Sequence, residues 1–196
     1  VAIAALAGSG TVNVGSNTLR IGVGTSFAGS FVGNGQISVA APVHLAGVSS
    51  FSGTVGIGAG ATLGLIGAAS LAAASQVQFQ YTGASTGAFD ISGTNAGASV
   101  NVLSDSGGGG VVNLGSKTLS IAQNSTFAGV LRDGGSGGGT GGQLNVTGAT
   151  TTLSGTNTYT GATTVQGGAR LALAGTGSIA ASSQIGSDSA AIPPVK

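Results

Sequence analysis

Along most of the chain, apolar and polar residues alternate one by one. In "TLRI", residues 18–21, Leu19 and Ile21 fall on one side and Arg20 on the other. "QISV" (36–39), "QVQF" (76–79), "KTLSI" (117–121), "QLNV" (143–146) and "RLAL" (170–173) repeat the arrangement. A period of two is that of an extended strand with one face in a core and the other in water. Arg20 and Arg170 take outward positions in this pattern, and Lys117 is expected on the opposite edge or face, so three of the five basic residues lie outside the core. Helical spacing is nowhere sustained. The best helical candidate, "SLAAAS" at 70–75, predicts at most a turn or two.

The strands recur in an ordered way. "VNVGSNTLRI" at 12–21 matches "VNLGSKTLSI" at 112–121, an offset of 100 residues, and "TSFAG" at 25–29 matches "STFAG" at 125–129. "GQISV" at 35–39 then matches "GQLNV" at 142–146, an offset of 107, and from Leu45 onward the offset is 108, which pairs His44 with Thr152. The slip falls in "RDGGSGGGTGG", 132–142, which reads as a Gly-rich loop insertion. The chain is therefore expected to be one segment, 1–196, built of two duplicated halves (about 12–79 and 112–185) with a C-terminal tail at 186–196.

A finer beat of aromatic–small–Gly occurs at Phe27, Phe51, Tyr81, Phe127 and Tyr159. It suggests a repeat of about 26 residues, in the range of solenoid units. Short strands, Gly-rich turns and this repeat predict an all-β fold, a right-handed parallel β-helix (solenoid) of about 7–8 coils and roughly 35 Å. An antiparallel β-sandwich is the alternative, since it too is made of short strands.

Composition narrows the function. Of 196 residues only 5 are Lys or Arg and 4 are acidic, 40 are Gly, and apolar residues make up 41%. A nearly neutral, apolar chain of this kind favours burial over disorder. It has no electrostatic means of holding phosphates, so nucleic acid is not an expected partner. Cysteine is absent, which removes disulfides and thiolate metal sites. The longest small-apolar run, 63–74, is too short and too Gly-broken to span a bilayer. The start at Val1, without Met or a basic n-region, reads as a mature or excised fragment with no signal peptide.

One passage carries a resemblance. In "TLSGTNTYTGATTVQGGARLALAGTGSIAASSQI", 152–185, the residues Leu153, Gly155, Asn157, Thr158, Tyr159, Thr160, Gly161, Thr163, Val165, Leu171 and Leu173 fit the pattern L-[ST]-G-x-N-T-Y-[TS]-G-x-T-x-V…L-x-L. This resembles the passenger-associated transport repeat of bacterial autotransporters. A weaker copy at 45–65 has Ser49 in place of Asn and Phe51 in place of Tyr. The resemblance implies a β-helix passenger exported by type V secretion across the outer membrane of a Gram-negative cell, hence extracellular or cell-surface, with the repeat serving secretion and folding. It implies no catalytic residue, cofactor or metal. Structural, adhesive or virulence roles follow from it. The partners it suggests are a host or cell-surface receptor or glycan, or further copies joined through β-helix ends or edges.

Candidate chemistry elsewhere is sparse. Asp105-Ser106-Gly107-Gly108 is similar to a protease nucleophile loop, but a triad needs a His base and His44 is the only histidine. "GASTG" (83–87) and "GGSGG" (134–138) fit the nucleophile-elbow pattern without the helix it requires. Gly137, Gly139 and Gly142 fit G-x-G-x-x-G outside a strand–turn–helix. Glycoside cleavage needs paired carboxylates, for which Asp90 and Asp105 meeting across coils are the one candidate. The Thr run at 150–164 leaves a question: is it an outward binding array or a set of good strand formers? No enzymatic activity is expected.

Overall fold

The computed structural model describes residues 1–80, 85–105, 107 and 109–188. Each short alternating run becomes a strand, and glycine-rich corners turn the chain to the next. The strands are β1 (Ala2–Ile3), β2 (Thr11–Gly15), β3 (Thr18–Ile21), β4 (Thr25–Phe27), β5 (Ser30–Gly33), β6 (Gln36–Val39), β7 (Val43–Leu45) and β8 (Thr54–Gly58). They continue with β9 (Thr62–Gly67), β10 (Gln76–Gln80), β11 (Ala88–Thr94), β12 (Ala98–Val100), β13 (Leu103–Asp105), β14 (Val111–Asn113), β15 (Thr118–Ile121) and β16 (Ser125–Phe127). Last come β17 (Val130–Arg132), β18 (Gln143–Val146), β19 (Thr150–Leu153), β20 (Ala162–Gln166), β21 (Arg170–Leu173) and β22 (Gln184–Asp188).

They stack on three faces. The first face is a nine-stranded sheet, β1-β3-β6-β8-β10-β13-β16-β19-β21. The second is a six-stranded sheet from β4 through β7, β9, β11 and β14 to β17. The third carries β2-β5 and then β12-β15-β18-β20-β22, with a bridge between Val48 and Ser70 in the gap. Every strand pairing is parallel, for example Thr118↔Gln143 and Thr150↔Arg170, so the fold is a parallel β-helix, consistent with right-handed winding, and not an antiparallel sandwich.

Among the described residues, nine strands on the first face mean about nine coils, about 38 Å along the axis at 4.8 Å per rung, instead of the expected 7–8. The stacked residues Ala2, Arg20, Ser38 and Gly56 are 18 positions apart. Later rungs, Gln78, Ser104, Thr126, Thr152 and Ala172, are 20 to 26 apart. The expectation overshot because aromatic–x–Gly marks different corners: Phe27 lies between the second and third faces, Phe51 between the third and first.

The core is a set of continuous apolar columns. Leu19, Ile37, Val55, Val77 and Leu103 stack on the first face, and Leu63, Phe89, Val112 and Leu131 on the second, all buried. Burying one such side chain contributes about 1.5–3 kcal/mol. The rings of Phe27 and Phe31 meet at 5.2 Å, and those of Phe79 and Phe127 at 5.4 Å. The aromatic–x–Gly beat also has a steric cause. A Cβ on Gly29 or Gly129 would run into the carbonyl of Gly10 or Gly110 on the rung before and into the ring of Phe27 or Phe127. Residues 70–75 hold the Ser70 bridge and a turn, with no helix. β22 runs to Asp188, so the expected tail at 186–196 begins no earlier than residue 189, and the rest of it lies outside the described residues, as does the Tyr81 corner.

Candidate functional site

The 153–185 repeat is an internal junction of the rod. Leu153 ends β19 and is fully buried; the chain then leaves the first face at Gly155, where a Cβ would strike the Gly129 carbonyl. Residues 156–158 continue the second face beyond β17, where Thr158 N donates to Leu131 O at 2.9 Å. Asn157, 2% exposed, replaces part of the ladder with its side chain. Its Oδ1 accepts from Leu131 N at 2.9 Å, and its Nδ2 donates to Gly155 O and Ser178 O, each at 2.9 Å. Every polar atom of this amide is used, as a buried amide requires.

Tyr159 puts its ring into the core, and its hydroxyl meets Thr163 Oγ1 at 2.6 Å, which in turn meets Ser182 Oγ at 2.9 Å. Burial pushes the Tyr159 phenol above its usual value, against the Thr163 hydrogen bond. Gly161 closes the corner, its N–H on Gly142 O at 2.9 Å. Val165 lies on β20, stacked on Val146. Leu171 and Leu173 point to the inner side: Leu171 packs half-buried against the core, whereas Leu173 does not fill it as expected. Leu173 stacks on the buried Leu153 yet is 48% exposed, because among the described residues no further rung covers it.

The duplication is preserved with a rotation. In the first half Ser49 Oγ accepts from Phe31 N at 3.1 Å, the same task that Asn157 performs for Leu131. Yet Phe31 lies on the third face and Leu131 on the second. Likewise β3 and β7 belong to the first and second faces, whereas their partners β15 and β19 belong to the third and first. The aligned pair His44 and Thr152 thus sits on different faces. Counting the bridges at Val48 and Ser70, β14 lies fourteen face positions after its counterpart β2, and fourteen is not a multiple of three.

The Gly-rich insertion is a strap lying on the outer side of the second face. Gly135 and Gly137 lie so close to β11 that a Cβ on either would meet Ser92 at 2.5 Å. Ser136 N donates to Asp90 Oδ2 at 2.7 Å, Ser92 donates its N–H and hydroxyl to Asp90 Oδ1 at 3.0 and 2.5 Å, and Gly137 N reaches Ser92 Oγ at 2.8 Å. The strap buries Asp90, Ser92 and Asn113, and Arg132 Nε donates to Asn113 Oδ1 at 2.7 Å.

Asp133 fastens the other end, accepting from Gly141 N, Gly142 N, Thr160 N and Thr160 Oγ1 at 3.1, 2.9, 3.2 and 2.6 Å. Burial alone raises its pKa, but the Thr160 hydroxyl and the three amides outweigh it and hold the carboxyl below its usual value.

The carboxylates serve structure. Asp90 and Asp105 do not meet: they lie on the second and first faces, and Asp105 Oδ2 accepts from Ala128 N and Gly129 N at 2.6 and 3.2 Å on the next coil. Asp90 is held by Ser92 and the strap and Asp105 by the Phe127 corner of the next coil, and the two form no acid–base pair with each other. His44 lies over Gly64, within 2.6 Å of where a Cβ would stand, in the outward column Ser26–His44–Gly64–Asp90–Asn113–Arg132. Ser106, Gly83 and Ala84 lie outside the described residues. Among the described residues no three His, Asp or Glu side chains gather as metal ligands, and no helix is long and apolar enough to cross a membrane.

The Thr run divides. Thr151 and Thr163 point inward and are fully buried, whereas Thr152, Thr156, Thr158 and Thr160 look outward on different faces, which breaks up a single array. Sequence reasoning missed Ser92 and Asn113, and it placed Thr160 in the 153–185 repeat but not on the strap that these residues seat. An acid two positions before a serine, opposite a glycine-rich insertion, was the available signal.

The fold and junction define the class: a parallel β-helix rod with polar side chains sealing breaks in its ladders. No family model, curated protein or solved structure matches the chain.

Proposed function

We propose that the chain is a structural or adhesive segment of an autotransporter passenger, displayed or secreted outside a Gram-negative cell. The observation that carries this reading is the junction at 153–185. Asn157 joins neighbouring coils through its side chain, Tyr159 reaches the next coil through Thr163 and Ser182, and Gly161 does so through its backbone N–H, as a repeat that helps coils stack in order would do. Stacking one rung on the last buries an apolar column each time, which supplies a driving force for folding outside the cell. The mechanism is mechanical. The rod projects its outward Ser, Thr and Gln surface, while every described aromatic ring is buried in the core, so recognition by that surface rests on hydroxyls and amides.

The test is secretion of the full passenger without residues 153–185, beside an Asn157→Ala version. Normal export and protease resistance of both would sink the role given to the repeat. A second reading, self-assembly, draws on the exposed Leu173 and Ile185 at the last rung, since unpaired strands recruit further strands. Concentration-dependent light scattering that disappears in Leu173→Lys would favour it.

A further inference from the structure

Two basic side chains of the rod are engaged: Arg132 Nε donates to Asn113 Oδ1 at 2.7 Å, and Lys117 Nζ to Asn95 O at 3.4 Å. Arg20 and Arg170 make no side-chain hydrogen bond or ion pair among the described residues. Arg170 stands at the last rung beside Leu171, Leu173 and Ile185. Arg20 has polar company.

Arg20 lies on β3, on the outer side of the first face, and its guanidinium reaches over Gly22, where a Cβ would stand 3.4 Å from Nη1. Three rungs further, Gln80 of β10 folds back over Gly56, where a Cβ would meet its carboxamide at 2.6 Å. Ser38 stacks between Arg20 and Gly56. With Ala40 and Gly58 as a low floor, these groups line a cleft of about 280 Å³. That is just under the roughly 300–1,000 Å³ of sites for drug-sized ligands and leaves room for a sugar ring. Neither the Ser38 hydroxyl nor the Gln80 carboxamide has a hydrogen-bond partner among the described residues. The acid of this face, Asp105, lies four rungs from Arg20 and is held by Ala128 N and Gly129 N.

The chemistry of the cleft selects its occupant. A guanidinium fork pairs with one carboxylate through two N–H groups. A single cation does not hold a polyphosphate, which needs a row of them. A peptide strand finds no edge to join, because β3, β6 and β8 each pair on both sides. A hydroxyl and a carboxamide beside the charge both donate and accept, as the hydroxyls of a sugar ring do. We infer that the cleft binds a carboxylate-bearing sugar unit of an acidic polysaccharide, with the carboxylate on Arg20 and ring hydroxyls on Ser38 and Gln80. This rests on the adhesive reading above and gives it a ligand class.

The test titrates a galacturonic acid trimer into the isotopically labelled full chain, beside a neutral galactose trimer and a glutamate-bearing peptide. Saturable amide shifts at Arg20, Ser38, Ala40, Gly58 and Gln80 are expected with the acidic sugar alone, weakening as salt is added. Arg20→Gln should reduce the affinity about tenfold, the worth of a charge-assisted hydrogen bond, and Arg20→Lys should fall between, since it keeps the charge and loses the fork. Arg20 is exposed and holds no other element, so these variants should keep the circular dichroism spectrum. Arg170→Gln makes the same charge change outside the cleft and should leave binding as it was. Equal shifts with the neutral trimer, shifts that fail to saturate, or affinity unchanged in Arg20→Gln would overturn the inference. So would tighter binding of the peptide, since the occupant would then be an acidic protein segment. The isolated chain is measured, so failure here is distinct from failure of the secretion test on residues 153–185.

Discussion

Replacing Asn157 by Ala tests the central claim about the junction. The substitution leaves Leu131 N without its partner inside the core, whereas Gly155 O and Ser178 O still accept from Ser178 N and Asn157 N at 3.2 and 2.9 Å. An orphaned buried donor costs about 1–3 kcal/mol, and each of the two lost bonds to still-partnered carbonyls about 0.5–1.5. The expected loss is therefore about 3 kcal/mol. Asn157→Ser should recover part of it, because Ser49 already does this work for Phe31. Stacked coils can open locally, so the measurement is hydrogen exchange at Leu131 and along β20 beside urea denaturation. A loss under about 1 kcal/mol, with the Leu131 amide as protected as before, would refute the assignment.

The remaining predictions concern other parts of the rod. Thr151 Oγ1 is buried without a partner, so Thr151→Val should stabilise by about 1 kcal/mol in urea denaturation. Leu153→Ala should cost about 2–5 kcal/mol, and Leu173→Ala, at the half-exposed last rung, clearly less by the same assay. Gly129→Ala should lower the melting temperature by several degrees, because its Cβ has no room beside the Gly110 carbonyl and the Phe127 ring. Asp133 has a carboxyl pKa below its ordinary value of 3.8, so its contribution is present above that value and fades as pH falls through the lower folded-state pKa. Hydrogen exchange in 133–142 should accelerate on acidification, and Asp133→Asn should remove that acid dependence while loosening the strap at neutral pH.

The particular misses share a cause. Asp90 and Ser92 belong to an alternating strand, so their outward positions were legible, but their burial depends on a strap arriving from some 45 residues away. Phe27 and Phe51 were legible as corner markers, but not as markers of different corners.

The sequence by itself determined which side of each strand faces in. A strict period of two with apolar residues on one side has a single low-energy burial. It also determined that the halves are related and that glycine must occupy the corners. Only the tertiary structure decided the face each strand takes. Alternation is identical on all three faces, and fourteen face positions between β2 and its counterpart β14 turned the second half by one face relative to the first. The same stacking set the nine rungs and seated the strap over Asp90, since each depends on where one coil lies on another.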